Sequence, residues 1–172
     1  RILDGYLSQY FPKVNQRYAS GAIAADLFAG RGRFDDGTEG SPIIIAKHAK
    51  RYKDRLGYPN QVILAEANPE DRQQLAENLK DYIDEKIATI ISGDAVDVGQ
   101  MLLQAIKPGV PLFVFLDPFG LKGLSMKLLL QIFERARKDS TELLINFNHR
   151  AIPRLAGICR NTTSKDIKLQ KQ

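Results

Sequence analysis

Ala22-Ile23-Ala24-Ala25-Asp26-Leu27-Phe28-Ala29-Gly30-Arg31-Gly32 is the stretch on which the reading of this chain turns. A short apolar run enters a turn with two glycines. The run predicts a buried strand, and the glycines let backbone approach a ligand or take positive φ. Such a turn at the carboxyl end of the first strand of an open α/β sheet is where adenosine-type cofactors bind. Two glycines alone are weak evidence. The reading gains weight because later segments end in polar residues where that kind of site needs them.

Moving outward, strand and helix patterns alternate. Residues 1–18 form a helical stripe through Leu3, Tyr6, Leu7, Tyr10 and Phe11, which Pro12 is expected to end or kink. Past Gly32 a polar loop runs to Gly40-Ser41-Pro42, where Ser41 suits an N-cap and Pro42 the first helical position. The helix continues to Arg55, with a basic end. Gln61–Glu66 is a second strand, and Asn68-Pro69-Glu70 opens a helix with Leu75, Leu79, Tyr82 and Ile83 as its buried stripe.

Ile87–Ser92 is a third strand, followed by Gly93-Asp94-Ala95 and a helix marked by Val98, Met101, Leu102 and Ala105. Leu112–Leu116 is a fourth strand, apolar throughout as a strand covered on both faces should be. A helix over 125–137 buries Leu128, Leu129, Ile132 and Phe133, and Glu142–Phe147 is a fifth strand. Five alternations predict an α/β fold with a doubly wound, mostly parallel sheet. Residues 1–157 are read as the domain, with 158–172 as a polar tail or the start of a further part. If the fold has seven strands, its C-terminal two are missing.

Composition sets outer bounds. The chain has 172 residues, one cysteine (Cys159) and a formal charge of +5. One cysteine excludes an internal disulfide framework and a multi-cysteine metal site. No run of residues is long and apolar enough for a membrane span, and no signal peptide is visible. Together these point to the cytoplasm. The positive charge permits a nucleic-acid partner (tRNA, rRNA or DNA) through phosphate contacts, and equally an ordinary lysine-rich surface.

The chemistry gathers at predicted strand ends. Phe28, Ala29, Gly30 and Gly32 are expected to let backbone meet the amino-acid part of a cofactor. Asp26 either orients that loop or reaches the ligand's ammonium. Glu66 can accept hydrogen bonds from both ribose hydroxyls, with Ala67 beside it. Asp94 can accept from an adenine amino group while the Ala95 N–H meets the ring. Each acid also has a plainer role as a helix cap, Asp94 above all.

Asp117-Pro118-Phe119-Gly120 is the sharpest signal. The Asp117 carboxylate and Pro118 carbonyl can both accept from an exocyclic NH₂, which turns the nitrogen lone pair toward an electrophile. Phe119 can stack on a base. Gly120, Asn146, Asn148 and Arg150 are placed to line the substrate side. His149 reads as structural. A strand-ending turn with a packed phenylalanine is the plain alternative.

On these residues the chain resembles class I S-adenosylmethionine-dependent methyltransferases over residues 22–148. Its Asp117-Pro118-Phe119-Gly120 is similar to the D-P-P-Y motif of amino-group methyltransferases, and closer to the D-P-F-G of tRNA guanine-N2 dimethyltransferases. Leu121-Lys122 departs from the Ser-Pro those tRNA enzymes tend to carry. The best overall match is to the three-Cys-motif partner family, TcmP. It rests on Asp26-Leu27-Phe28-Ala29-Gly30-Arg31-Gly32-Arg33, Gly40-Ser41-Pro42, Leu116-Asp117-Pro118-Phe119-Gly120 and Asn146-Phe147.

The resemblance implies a Rossmann-like methyltransferase fold, S-adenosyl-L-methionine as cofactor, and a partner protein with a three-cysteine motif similar to radical S-adenosylmethionine proteins. It leaves two roles open, an N-methyltransferase acting on a nucleic-acid base and an adaptor built on the same fold. A nicotinamide oxidoreductase is disfavoured, because Gly30-Arg31-Gly32-Arg33-Phe34-Asp35 lacks the third small residue of the dinucleotide fingerprint.

Overall fold

The computed structural model describes residues 2–118 and 124–146. Phe119, Gly120, Asn148, Arg150 and the 158–172 segment lie outside the described residues. Helix α1 (Ile2–Arg17) leads into β1 (Ile23–Asp26), α2 (Ser41–Leu56), β2 (Gln61–Glu66), α3 (Pro69–Asn78), the short α4 (Lys80–Asp84) and β3 (Ala88–Ser92). Then follow α5 (Ala95–Ala105), β4 (Leu112–Leu116), α6 (Met126–Ala136) and β5 (Thr141–Ile145). The five strands make one sheet in the order β3-β2-β1-β4-β5, and every neighbouring pair is parallel. The doubly wound expectation holds. No helix among the described residues is long and apolar enough to cross a membrane.

Two cores flank the sheet. One side packs α1, α2 and α3 through Leu7, Phe11, Ile43, Ile45, Leu75 and Phe113. The other packs α5 and α6 through Val98, Leu102, Leu128 and Ile132. Each fully buried side chain of this size contributes roughly 1.5–3 kcal/mol relative to exposure. β1 and β4 are central, so Ala24, Ala25, Val114 and Leu116 are buried on both faces. Register then fixes the functional edge: Asp26 pairs with Leu64 and with Phe115, which brings the ends of β1, β2 and β4 to one level.

Four local expectations are corrected. Pro12 sits inside α1 without ending it, because the apolar stripe continues past it through Val14 to the end of the helix. The N-cap of α2 is Gly40 rather than Ser41, with no side-chain cap bond. Gly40 donates its N–H to the Gly32 carbonyl at 2.8 Å, and a Cβ there would stand 2.9 Å from that oxygen. Phe133 and Met101 are half exposed rather than buried, on the outer faces of α6 and α5. The helix after β2 is broken in two around Leu79. Asn68, by contrast, caps α3 as its sequence predicts, accepting from the N–H groups of Glu70 and Asp71.

Candidate functional site

Three carboxyl groups converge on the turn after β1. Asp26 is wholly buried, and its Oδ1 accepts from the Phe28 N–H at 3.0 Å. Its Oδ2 has no hydrogen-bond partner. Burial raises the Asp26 carboxyl to about 6, the nearby Ser41 hydroxyl and the Phe28 N–H oppose the rise, and the charges of Asp117 and Glu66 add to it. A buried carboxylate oxygen left without a donor is costly.

Glu66 closes the turn from β2. Its Oε2 accepts from the Gly30 N–H at 2.8 Å and its Oε1 from the Asn68 N–H at 2.7 Å. Gly30 takes φ 59° to present that N–H, a conformation most side chains resist. Ala29 donates its N–H to the Ala65 carbonyl at 3.1 Å, fastening the same turn to β2. The sequence expectation for Glu66 named only ribose. The structure adds a scaffolding role, and a carboxylate has lone pairs enough for both.

Asp94 lies on the surface after β3. Its Oδ1 accepts from the N–H groups of Val96 and Asp97, at 2.8 and 2.9 Å, so it is the N-cap of α5. Ala95 is the first residue of that helix and is buried. Ala67 is exposed, and its carbonyl accepts from Arg72 at 3.2 Å.

At the other end of the edge, Asn146 Nδ2 donates to Asp117 Oδ1 at 3.0 Å, tying the ends of β5 and β4 together. The bond uses one carboxylate oxygen of Asp117 and the amide nitrogen of Asn146, so each side chain keeps an acceptor oxygen, Asp117 Oδ2 and Asn146 Oδ1. Pro118 is buried immediately beyond. Among the described residues no three His, Cys, Asp or Glu side chains form a metal-ligand cluster.

Two cavities open on this edge. A small cleft of about 280 Å³ runs along the β1 turn, past Phe28, Ala29, Gly30 and Gly32, and reaches Asp117. A larger chamber of about 590 Å³ lies between α1, α2 and the ends of β4 and β5, and Asn146 is in its wall. Phe34, Gly40 and Ser41 line both. Thus Asp26, Asp117, Glu66 and the β1 turn come together. Asp94 stands apart at the far edge strand. Arg31, on the same turn, is paired with Asp35 at 2.9 Å and Asp71 at 3.6 Å.

Sequence reasoning missed Phe34. It sits in a small hairpin in what reads as polar loop, closed by an Arg33–Glu39 bridge and by the Phe34 N–H to Thr38 carbonyl bond at 2.9 Å. The signals that could have found it are Asp35-Asp36-Gly37-Thr38, a turn sequence, and an aromatic residue among charged neighbours.

Neither a family model nor a curated protein matches the chain. Solved structures do. The N-terminal domain of human METTL16 in complex with S-adenosylhomocysteine aligns at a TM-score of 0.50 and 8% identity, over 92% of this chain and 60% of that one. A provisionally assigned methylase, HI0767 of Haemophilus influenzae, gives 0.49 at 16% identity, over 86% and 82%. A provisionally assigned RNA methyltransferase, PH1948 of Pyrococcus horikoshii, gives 0.46 at 17%, over 90% and 64%. The chain therefore spans about three fifths of the METTL16 domain it matches. The likeness is one of fold, the Rossmann-like fold of class I methyltransferases.

Proposed function

We propose that this chain is an S-adenosyl-L-methionine-dependent N-methyltransferase acting on an exocyclic amino group of a nucleic-acid base. The observation that carries the reading is the meeting of Asp26, Glu66 and Asp117 around one glycine turn, beside a cleft that runs along that turn to Asp117. The residues fit the cofactor. Asp26 suits its ammonium, the backbone of 28–32 its amino-acid part, Glu66 its ribose, and Asp94 with Ala95 its adenine. Bound there, the cofactor supplies an electrophilic methyl group.

The chain's own part is positioning and electrostatics. Asp117 Oδ2, the Asn146 carbonyl oxygen and the Pro118 carbonyl accept the N–H groups of the acceptor amine. The nitrogen lone pair is thereby turned out of conjugation toward the small cleft. Methyl transfer to the amine would make its proton acidic, and Asp117 is placed to accept that proton and pass it to water. Phe119, Gly120, Asn148 and Arg150 complete the substrate side in this reading. The net charge of +5 favours a polyanionic substrate. Residues 1–157 make up the catalytic domain, with 158–172 outside it, and one cysteine and no membrane-spanning helix among the described residues fit a cytoplasmic enzyme.

A second reading keeps the fold and drops the reaction: an adaptor for a three-cysteine-motif, radical-S-adenosylmethionine-like protein, as the resemblance to the TcmP family implies. One observation favours it. Glu66 and Asp94 are both occupied by backbone N–H groups, as purely structural acids would be.

Calorimetric titration with S-adenosylhomocysteine separates the two, followed by transfer of labelled methyl to bulk tRNA, rRNA and DNA. Binding that weakens about tenfold in Glu66→Ala supports the cofactor site, which a cofactor-binding adaptor would share, and methyl transfer to one of the nucleic acids supports the enzyme. Absence of binding sinks it and leaves the adaptor.

A further inference from the structure

We infer that Asn78, at the end of α3, is a positioning residue for the cofactor: its amide fixes the Arg31–Gly32 peptide so that the Gly32 N–H faces the cofactor's amino-acid part. The inference rests on the methyltransferase reading above and adds to it the helix that sets the binding turn.

The glycine turn is pinned from three directions. Glu66 on β2 accepts the Gly30 N–H, and Gly40, ahead of α2, donates its N–H to the Gly32 carbonyl at 2.8 Å. α3 supplies the third hold. Asp71, Leu75 and Asn78 stand at i, i+4 and i+7, so they share one face of that helix. All three reach the turn. Asp71 Oδ1 lies 3.6 Å from Arg31 Nε. Leu75 is buried, and a Cβ on Gly32 would stand 3.1 Å from its Cδ1. Asn78 Nδ2 donates to the Arg31 carbonyl at 2.8 Å, across 47 residues of sequence.

The three contacts do different things. The Arg31–Asp71 pair is open to water on both sides, with side chains 47% and 33% exposed, and such pairs contribute little. Leu75 sets how close the turn can come, and an apolar contact has no direction. The Asn78 bond is directional and falls on the main chain. Gly30 and Gly32 take φ 59° and 86°, so the peptides between them have more freedom than ordinary residues allow. A hydrogen bond from outside the turn selects one orientation. A trans peptide carries its C=O and N–H on opposite sides. With the Arg31 carbonyl held toward α3, the Gly32 N–H is turned away from α3. Among the described residues that N–H has no acceptor, and Gly32 lines the small cleft. A backbone N–H in this setting is a donor for an anionic group such as a carboxylate. The chain bends directly after the contact: α3 stops at Asn78, Leu79 caps it, and α4 starts at Lys80.

The test is calorimetric titration with two ligands, S-adenosylhomocysteine and 5′-methylthioadenosine. The second keeps the adenosine and the sulfur and lacks the amino-acid part. Asn78→Leu keeps the volume, removes the donor and is a good helix former, and its urea midpoint checks that the fold holds. It should bind S-adenosylhomocysteine about tenfold more weakly than wild type, and 5′-methylthioadenosine within about threefold of wild type. Asn78→His, which carries a ring N–H of similar reach, should regain most of the lost affinity. Asn78→Ala is read in the same way if Asn78→Leu does not fold. Equal weakening for both ligands is what a merely structural residue would give, and it overturns the inference. So does unchanged binding of S-adenosylhomocysteine in Asn78→Leu, or a wild type that binds the two ligands equally well. If wild type binds no S-adenosylhomocysteine, the methyltransferase reading itself falls, and that one titration tells the two failures apart.

Discussion

The small cleft and the apolar chamber share Phe34, Gly40 and Ser41, yet they are built on opposite terms. The cleft is made of backbone and charge: a glycine turn pinned by Glu66, with the buried Asp26 beneath it. The chamber is made of aliphatic side chains from α1, α2 and the β4 and β5 ends. A cofactor with an ammonium, a ribose and a base needs many directional partners. An acceptor ring needs a flat apolar berth and two acceptors at one edge. In the proposed reading the two ligands occupy separate cavities on one sheet edge, and the Asp117–Asn146 hydrogen bond is the link between them. Substitutions on each side should therefore have separable effects.

The largest effect is expected at the bridge. Asp117→Ala removes an acceptor that matters most as charge develops on the nitrogen. Single-turnover transfer of labelled methyl should fall about 100-fold or more. Affinity for S-adenosylhomocysteine should change less than about threefold. An equal loss in both would show that the two cavities work as one.

The next effect sharpens the cleft side. The Asp26 carboxyl is raised from its ordinary 3.8 to about 6 by burial. Between those values the folded chain keeps a proton that the unfolded chain has released. The contribution of Asp26 to stability is therefore fully present below about pH 4, is lost as pH rises to about 6, and is flat above, a change of about 3 kcal/mol, against which the lowered Asp4 and Asp36 work in the opposite direction. Asp26→Asn should remove that decline, which urea unfolding at pH 4.5 and pH 8 will read. The same change should cost about tenfold in S-adenosylhomocysteine affinity at pH 7.5. In wild type, that affinity should fall as pH drops through 6, because an ammonium needs the ionised carboxylate. Tighter binding at pH 5 than at pH 7.5 would remove Asp26 from the site.

How far each side could be read from sequence follows the same contrast. The cleft was legible because each strand is a short apolar run that stops at a polar residue, and parallel strands all stop at one edge. Asp26, Glu66 and Asp117 needed only that rule. The chamber was not legible, because its wall is assembled from residues far apart in sequence. The Asn146–Asp117 bond depends on β5 lying beside β4 in register, with Leu116 opposite Ile145. Phe34 depends on a hairpin that forms inside a polar loop. Gly40 took the cap expected of Ser41 because the chain must pass close to Gly32, a constraint visible only in three dimensions. Periodicity also failed at Met101 and Phe133, where apolar residues at helical spacing face outward.

The smallest effect tests whether the far end of the cleft belongs to it at all. Asp94 caps α5 through Oδ1 alone, so capping and adenine recognition draw on different atoms. Asn caps a helix as well as Asp does. Asp94→Asn should therefore leave the urea midpoint unchanged while presenting a donor where the adenine amino group needs an acceptor. Asp94→Ala should lose about 1 kcal/mol of stability as well. If Asp94 serves the cofactor, S-adenosylhomocysteine binding should weaken about threefold to tenfold in Asp94→Asn with stability intact. If binding is unchanged there, Asp94 is only a cap, and the cofactor site ends at Glu66.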